Sequence, residues 1–398
     1  MDKLRTKVQN VDWWEFSYLV IYGAIFTYEF LGTTMFEITW PPKFGYIFLA
    51  ASALYTIAKF IWHNTYTKKE MILSAVILFA FLMPALLTEY RFLWWVGFLI
   101  VGAKDVEFDK ILKVYLTIGI TIMLAAFAAS QYGIIEDLEY ITYRGEVSYV
   151  RHAYGIVYPT DFAAHLLYMV LACLVYWDNK LSLMYKCWLC VLAAMFVYLA
   201  ANAQTSTLCL LGCVCLCLIE VAFRKYMKTL GMLLQFVPVI CAIFFCSIAY
   251  LFTPEKAWML KLNSILSTRL EISKKAFDLY DVTWFGQFIP EIGSGNSVQY
   301  KPDYFFLDDV YVRILLEYGV ILFVVVLLLL VFISNRSIQV QQHMLAIAMV
   351  VIAIHSIMEH HLLEIAYNPT ILALFASFYT REQDDRRKIC TEKIAKVG

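Results

Sequence analysis

Long, almost uninterrupted apolar stretches alternate with short polar connections along most of the chain. Mainly apolar runs fall near 14–36, 44–62, 71–87, 92–103, 111–130, 156–177, 187–201, 205–222, 232–252, 310–334, 343–358 and 368–380. A spanning helix needs about 20 such residues, and a bilayer admits only helices or closed barrels because unpaired backbone groups find no water there. The runs are too long and continuous for barrel strands. The pattern predicts an all-α, polytopic transmembrane bundle of about twelve spans forming one integral membrane domain over 1–398. The fourth and last runs are the shortest of the set.

Two polar stretches exceed the usual short connection, 131–155 and 253–309, and connections of that length usually carry function. Lys and Arg sort to one side when the spans alternate. Lys3, Arg5, Lys7, Lys68, Lys69, Lys104, Lys110, Lys113, Lys180, Lys186, Arg224, Lys225, Lys228, Arg336 and the tail 381–398 share that side. Positive charge favours the cytoplasm, so both termini are expected inside and both long loops outside.

Composition agrees with the pattern: 62% of residues are hydrophobic and 16% charged, against a soluble norm near 45–50% apolar and about 25% charged. The formal net charge of zero lacks the basic excess of a nucleic-acid binder, so no nucleic acid partner is expected. The ten cysteines lie almost entirely inside apolar runs, which argues for helix packing over a disulfide framework. Cys187 and Cys190 have half-site spacing but no second ligand pair follows.

Candidate chemistry concentrates at the loop ends. Arg151 and His152 precede Gly155, Tyr158 and Pro159, where Pro is natural at a helix start. Arg151 therefore lies at the membrane–water boundary, either as an interfacial arginine that snorkels or as a phosphate ligand. In the long loop, Asn263 leads to Arg269 and a helical spacing through Lys274, Lys275, Ala276, Phe277 and Tyr280, with Ile265, Leu266, Leu270 and Ile272 suggesting an amphipathic helix on the outer interface. The loop re-enters the membrane through Asp308, Asp309, Tyr311, Arg313, Glu317, Tyr318 and Gly319. The adjacent carboxylates read either as an N-cap pair or as a pair of which one takes a proton as general base. Glu29, Lys59 and Asp161 fall inside apolar runs and are each as well explained by a partner helix.

These three segments, in order and at these boundaries, resemble the Wzy-type polymerases of bacterial surface polysaccharides and, more distantly, the O-antigen ligases. Arg151, Gly155 and Tyr158-Pro159-Thr160-Asp161 are similar to the family's Arg, Gly and aromatic-Pro pattern. Asn263-Ser-Ile-Leu-Ser-Thr-Arg269-Leu is similar to its Asn, Leu-Ser, Arg-Leu pattern, and Asp308-Asp309-Val-Tyr311 through Tyr318-Gly319 to its Asp-Asn, Tyr, Tyr-Gly pattern. Asn202 to Ser206 stands where the family has a small Ser-Arg-Thr turn. Asp309 replaces the usual Asn, the 202–206 turn lacks the Arg, and the ligases carry a His where Asp308 stands.

The resemblance implies a GT-C-like glycosyltransferase that joins undecaprenyl-diphosphate-linked oligosaccharide repeats into a capsule, exopolysaccharide or O-antigen on the outer face of the bacterial cytoplasmic membrane. It implies Arg151 and Arg269 as diphosphate ligands and Asp308 as the acceptor base. His152, Tyr158, Asp309, Tyr311 and Arg313 are implied as substrate-binding residues. Neither long loop holds a His or carboxylate cluster of metal-site density, so no cofactor and a metal-independent reaction are expected. Membrane lipid, a chain-length regulator and a flippase are the implied neighbours. The alternatives are a ligase of the same fold and a repeat-unit flippase, though the chain shows no repeated halves of the transporter kind.

Overall fold

A computed structural model of the chain describes residues 12–378, apart from 42, 64, 89, 145–146 and 294–302. The expected tail at 381–398 lies outside the described residues, as do the N-terminal lysines and arginine and Tyr300. Helices dominate. In chain order they are α1 (Trp13–Gly32), α2 (Phe44–Ala58, continued by a π turn Lys59–His63), α3 (Lys68–Leu87), α4 (Phe92–Gly102), α5 (Phe108–Gln131), α6 (Pro159–Tyr176), α7 (Leu183–Ala201), α8 (Gln204–Ala222), α9 (Met227–Leu234), α10 (Val237–Tyr250), α11 (Ala257–Ile265), α12 (Arg269–Leu279), α13 (Val310–Arg313), α14 (Gly319–Gln339) and α15 (His343–His355). Among the described residues, eight helical stretches are long and apolar enough to cross a membrane, and Phe92–Gly102 and His343–His355 are shorter apolar helices.

The sides of these helices carry exposed Val20, Ile47, Leu54, Leu199, Leu208 and Ile243, a surface that only lipid would cover favourably. Burial runs the other way at the centre. Of its apolar stretch, α6 is 72% buried against 22% for α7, so α6 forms the axis of the bundle and α7 its rim.

Two regions depart from the expected all-α pattern. The 131–155 loop contains an antiparallel hairpin, β1 (Glu139–Arg144) with β2 (Val147–His152), in which Tyr140 pairs with Arg151 and Thr142 with Tyr149. Alternating aromatic and β-branched residues suit such a ribbon. The stretch 368–380, expected as a span, holds instead a 3-10 turn, Pro369–Leu374. Carbonyls in it and just before it are served by side chains of neighbouring helices: Tyr115 donates to Tyr367 O at 2.6 Å, and Arg336 Nη1 to Ala373 O at 2.9 Å and Leu374 O at 2.7 Å. Those donors replace the bonds that a regular helix would supply internally.

The tenth apolar run is also broken. A π turn, Ile314–Tyr318, follows α13, and the chain reverses to φ +90° at Gly319 before α14. The orphan N–H groups of Val320 and Ile321 donate to Thr283 O at 3.0 Å and Trp284 O at 3.2 Å, while Gln287 N–H donates to Glu317 O at 3.0 Å. Gly286, also at φ +90°, lies so close that a Cβ there would stand 2.2 Å from Glu317 O. The long loop is thereby stitched into the helix break.

The amphipathic helix expected near 261–280 is two helices, α11 and α12. Leu270, Ser273 and Ala276 are buried, and Phe277 meets Tyr250 of α10 edge-on at 5.6 Å. The apolar face of α12 therefore covers the bundle end.

Candidate active site

Arg151 reaches its position through a tightly specified turn. Asp137 accepts the Tyr154 N–H at 2.6 Å and contacts His152 Nδ1 at 2.9 Å. Tyr154 and Gly155 both take left-handed backbone, φ 51° and 77°, and a Cβ at Gly155 would meet Ala126 O at 2.6 Å. The chain next bridges to the segment just after α1, between Thr34 and Ile156, and enters α6 with Pro159 in its first turn. At the end of β2, Arg151 Nε donates to Ala201 O at 2.9 Å, the last carbonyl of α7, where the helix dipole favours a cation. His152 points to Asp137 and Glu139 and does not line the cavity described below.

Arg269 is placed by a second strained turn. Ser267 and Thr268 are both left-handed, φ 50° and 67°, a conformation uncommon for such residues and frequent at functional sites. Thr268 N–H donates to Asn263 O at 2.9 Å, and Asn263 Oδ1 accepts the Glu271 N–H at 3.2 Å, capping α12. Arg269 thus opens α12. Its Nε donates to Met358 O at 2.9 Å, and its Nη2 lies 3.3 Å from Asp308 Oδ2 and 3.9 Å from Glu359 Oε1. Burial works against its charge, but Asp308 and Glu359 more than offset this and raise its pKa from the ordinary value.

The adjacent carboxylates divide their labour. Asp309 is 1% exposed, caps α13 by accepting the Val312 N–H at 2.8 Å, and accepts the Ser273 hydroxyl at 2.6 Å. Asp308 turns the other way, toward Arg269. Tyr311 is buried and donates to Ala353 O at 2.7 Å. Arg313 grips Glu291 at 2.8 and 2.9 Å, contacts Glu317 at 3.4 Å, donates through Nε to Leu307 O at 2.8 Å, and lies under the Phe306 ring. Asp309, Tyr311 and Arg313 are thus committed to packing and do not reach the cavity.

The structure brings Arg151, Tyr158, Arg269 and Asp308 together around a cavity of about 380 Å³, together with Asp161, Ser267, Thr268, Tyr304, Phe306 and His360. That volume is in the range of small-molecule sites. Two guanidiniums at its wall suit an oxyanion, and side chains that are 15% and 17% exposed at Arg269 and Asp308 leave their charges only partly screened by water. Burial pushes the Tyr304 phenol up from its ordinary value, with Asp308 adding to the effect.

Asp161, Glu359 and His360 carry no sign of such a place in the sequence: Asp161 is a charge inside an apolar run, and the other two follow the eleventh run, where no motif marks them. Beyond His360 the rings continue inward as a stack: His361 on Tyr367 at 3.8 Å, Tyr367 on His165 at 3.9 Å, and His165 on Phe30 at 4.1 Å. The other intramembrane charges serve helix contacts. Glu29 accepts the Trp95 indole N–H, and Lys59 donates to the carbonyls of Gly102 and Lys104 at the end of α4.

Comparison of the chain with protein-family models, curated proteins and solved structures finds no match in any of the three.

Proposed function

We propose that the chain is a glycosyltransferase that polymerises undecaprenyl-diphosphate-linked oligosaccharide repeats into a bacterial surface polysaccharide. The observation that carries this reading is the meeting of Arg151, Arg269 and Asp308, from three segments far apart in sequence, on one cavity at the hairpin end of an apolar helical bundle. That end would face outward from the cytoplasmic membrane, with both termini inside, as the distribution of Lys and Arg favours.

In this reading the lipid diphosphate of the growing chain occupies the wall formed by Arg151 and Arg269. Charge grows on its bridging oxygen as the glycosidic bond breaks, and fixed guanidiniums stabilise that charge where water is scarce. A hydroxyl of the next repeat attacks the anomeric carbon, and its proton passes to Asp308. Arg269 Nη2 lies 3.3 Å from Asp308 Oδ2; a diphosphate that takes Arg269 would free this carboxylate to receive the proton of the attacking hydroxyl. Tyr158 and Tyr304 offer ring faces to the sugars.

The test is glycan length in cells carrying Arg151→Ala, Arg269→Ala or Asp308→Asn. Each variant should insert normally and leave single repeats on the acceptor. Normal polymer from any of them removes that residue from the mechanism, whereas long chains stranded on lipid would identify a ligase.

A further inference from the structure

The cavity wall leads to a second cluster that the diphosphate reading does not use. His360 Nε2 lies 3.3 Å from Glu364 Oε1, and His361 Nδ1 lies 3.1 Å from Glu364 Oε2. One ligand atom from each of the three residues falls within 4.8 Å of the others. Nitrogen and oxygen ligands bonded at about 2.0–2.2 Å to one ion stand roughly 3.0–3.5 Å apart; the two measured contacts fall in that range and end on the two oxygens of Glu364, an arrangement that a single cation would draw together. Local structure produces the grouping. His360 and His361 enter the 3-10 turn His361–Leu363, which returns Glu364 beneath both rings.

The surroundings of His361 supply an independent sign. It is 1% exposed, and its Nε2 is buried with no hydrogen-bond partner among the described residues. That atom faces Asp161 Oδ1 at 3.7 Å and Glu359 Oε2 at 3.9 Å. A metal-bound imidazole characteristically turns its second N–H toward a carboxylate, which fixes the ring and raises its basicity. Stacking on Tyr367 holds the ring in that attitude.

Charge points the same way. Asp161, Glu359 and Glu364 crowd around His361, Asp308 lies beyond, and among the described residues Arg269 is the guanidinium in ion-pair contact with Asp308 and Glu359. Buried carboxylates at this density call for further positive charge. Two imidazoles with a carboxylate select a transition metal over magnesium or calcium, which prefer oxygen ligands alone.

We propose that His360, His361 and Glu364 bind one divalent transition-metal cation of the zinc type, with Asp161 and Glu359 orienting His361. The cluster lies outside both long loops, at the end of α15, which is why loop composition gave no sign of it. Because His360 also lines the cavity, the ion's remaining coordination positions are within reach of an oxygen ligand bound there. The site stands whether or not that ligand is a diphosphate.

The experiment uses the full chain in lipid nanodiscs, stripped with a chelator and titrated with Zn²⁺ in one arm and Co²⁺ in another. The expected result is one equivalent of Zn²⁺ per chain, and a Co²⁺ absorption band of nitrogen–oxygen coordination. The His360→Ala/Glu364→Gln double variant should lose both. Glu359→Gln should keep the stoichiometry and weaken affinity about 10- to 100-fold. Arg269→Ala, which removes the proposed anion ligand, should bind Zn²⁺ as the parent does, so the two proposals fail separately. Should the double variant not fold, the unmodified chain still decides. Sub-stoichiometric Zn²⁺ with no Co²⁺ band overturns the site, as does equal binding by a folded double variant or a preference for Mg²⁺.

Discussion

Arg269 and Arg313 stand at the two ends of the long loop, each beside two carboxylates, yet their settings differ in kind. Arg313 is saturated: Glu291 takes one edge of its fork, Glu317 and Leu307 O take the rest, and Phe306 covers its face. Arg269 meets its carboxylates at the longer distances of 3.3 and 3.9 Å, at the wall of a cavity. Phe306 is the partition, since its ring covers Arg313 and also lines that cavity. A guanidinium with its donors already used can only hold the fold together, whereas one whose carboxylates stand off at 3.3 and 3.9 Å at a cavity wall can exchange them for a ligand.

The sharpest way to break the comparison is to remove each arginine in turn. Arg313→Ala should cost about 3–5 kcal/mol of stability by leaving Glu291 and Glu317 buried without their cation, read as lost monodisperse yield and a lowered unfolding temperature in detergent. Burial already holds the Glu291 pKa above its ordinary value despite Arg313. Arg269→Ala should instead lower the unfolding temperature by less than Arg313→Ala does, because its carboxylates stand farther off, and lower polymer formation about 10²- to 10³-fold. Arg269→Lys should rescue little, because an ammonium cannot grip two oxygens in a plane. Equal losses of stability in the two Ala variants would erase the distinction.

Next in size is Gly319→Ala. A Cβ at φ +90° would stand 2.3 Å from Gly286 N, and strain plus overlap should cost about 2–3 kcal/mol, seen in the same unfolding assay. The smallest effect is expected of Ser273→Ala, which removes the 2.6 Å hydroxyl bond to Asp309. It should cost about 1 kcal/mol and leave glycan length unchanged.

Continuous apolar runs made the helices legible, because a lipid-facing surface needs no partner to declare itself. The stretch at 368–380 was not legible for the opposite reason, since its backbone is satisfied by Tyr115 and Arg336 from distant helices. The hairpin did leave a mark, the alternation from Tyr140 to Thr142 answered by Tyr149 and Val150, but a loop read only for its charges conceals it. Arg151, Arg269, Asp308 and Tyr158, which line one cavity, stand in short motifs that keep their local turns. Asp308 and Asp309 looked equivalent on paper. The first turn of α13 separates them, sending Asp309 under the helix start toward Ser273. His360 and Asp161 could be found only once three dimensions brought the end of α15 against the start of α6.

The crossing of Gly286 over Gly319 also bears on how the molecule is made. The segment that passes through 283–287 leaves the ribosome before the helix that anchors it, so it has no seat until Gly319 has followed it into the bilayer. Of the two arginines, Arg151 can be placed as soon as α7 exists, whereas Arg269 must wait for Met358 and Glu359, near the chain's end. Nascent chains arrested before Met358 should therefore have no assembled pocket, so whatever the cavity binds can be engaged only once nearly the whole bundle is in place.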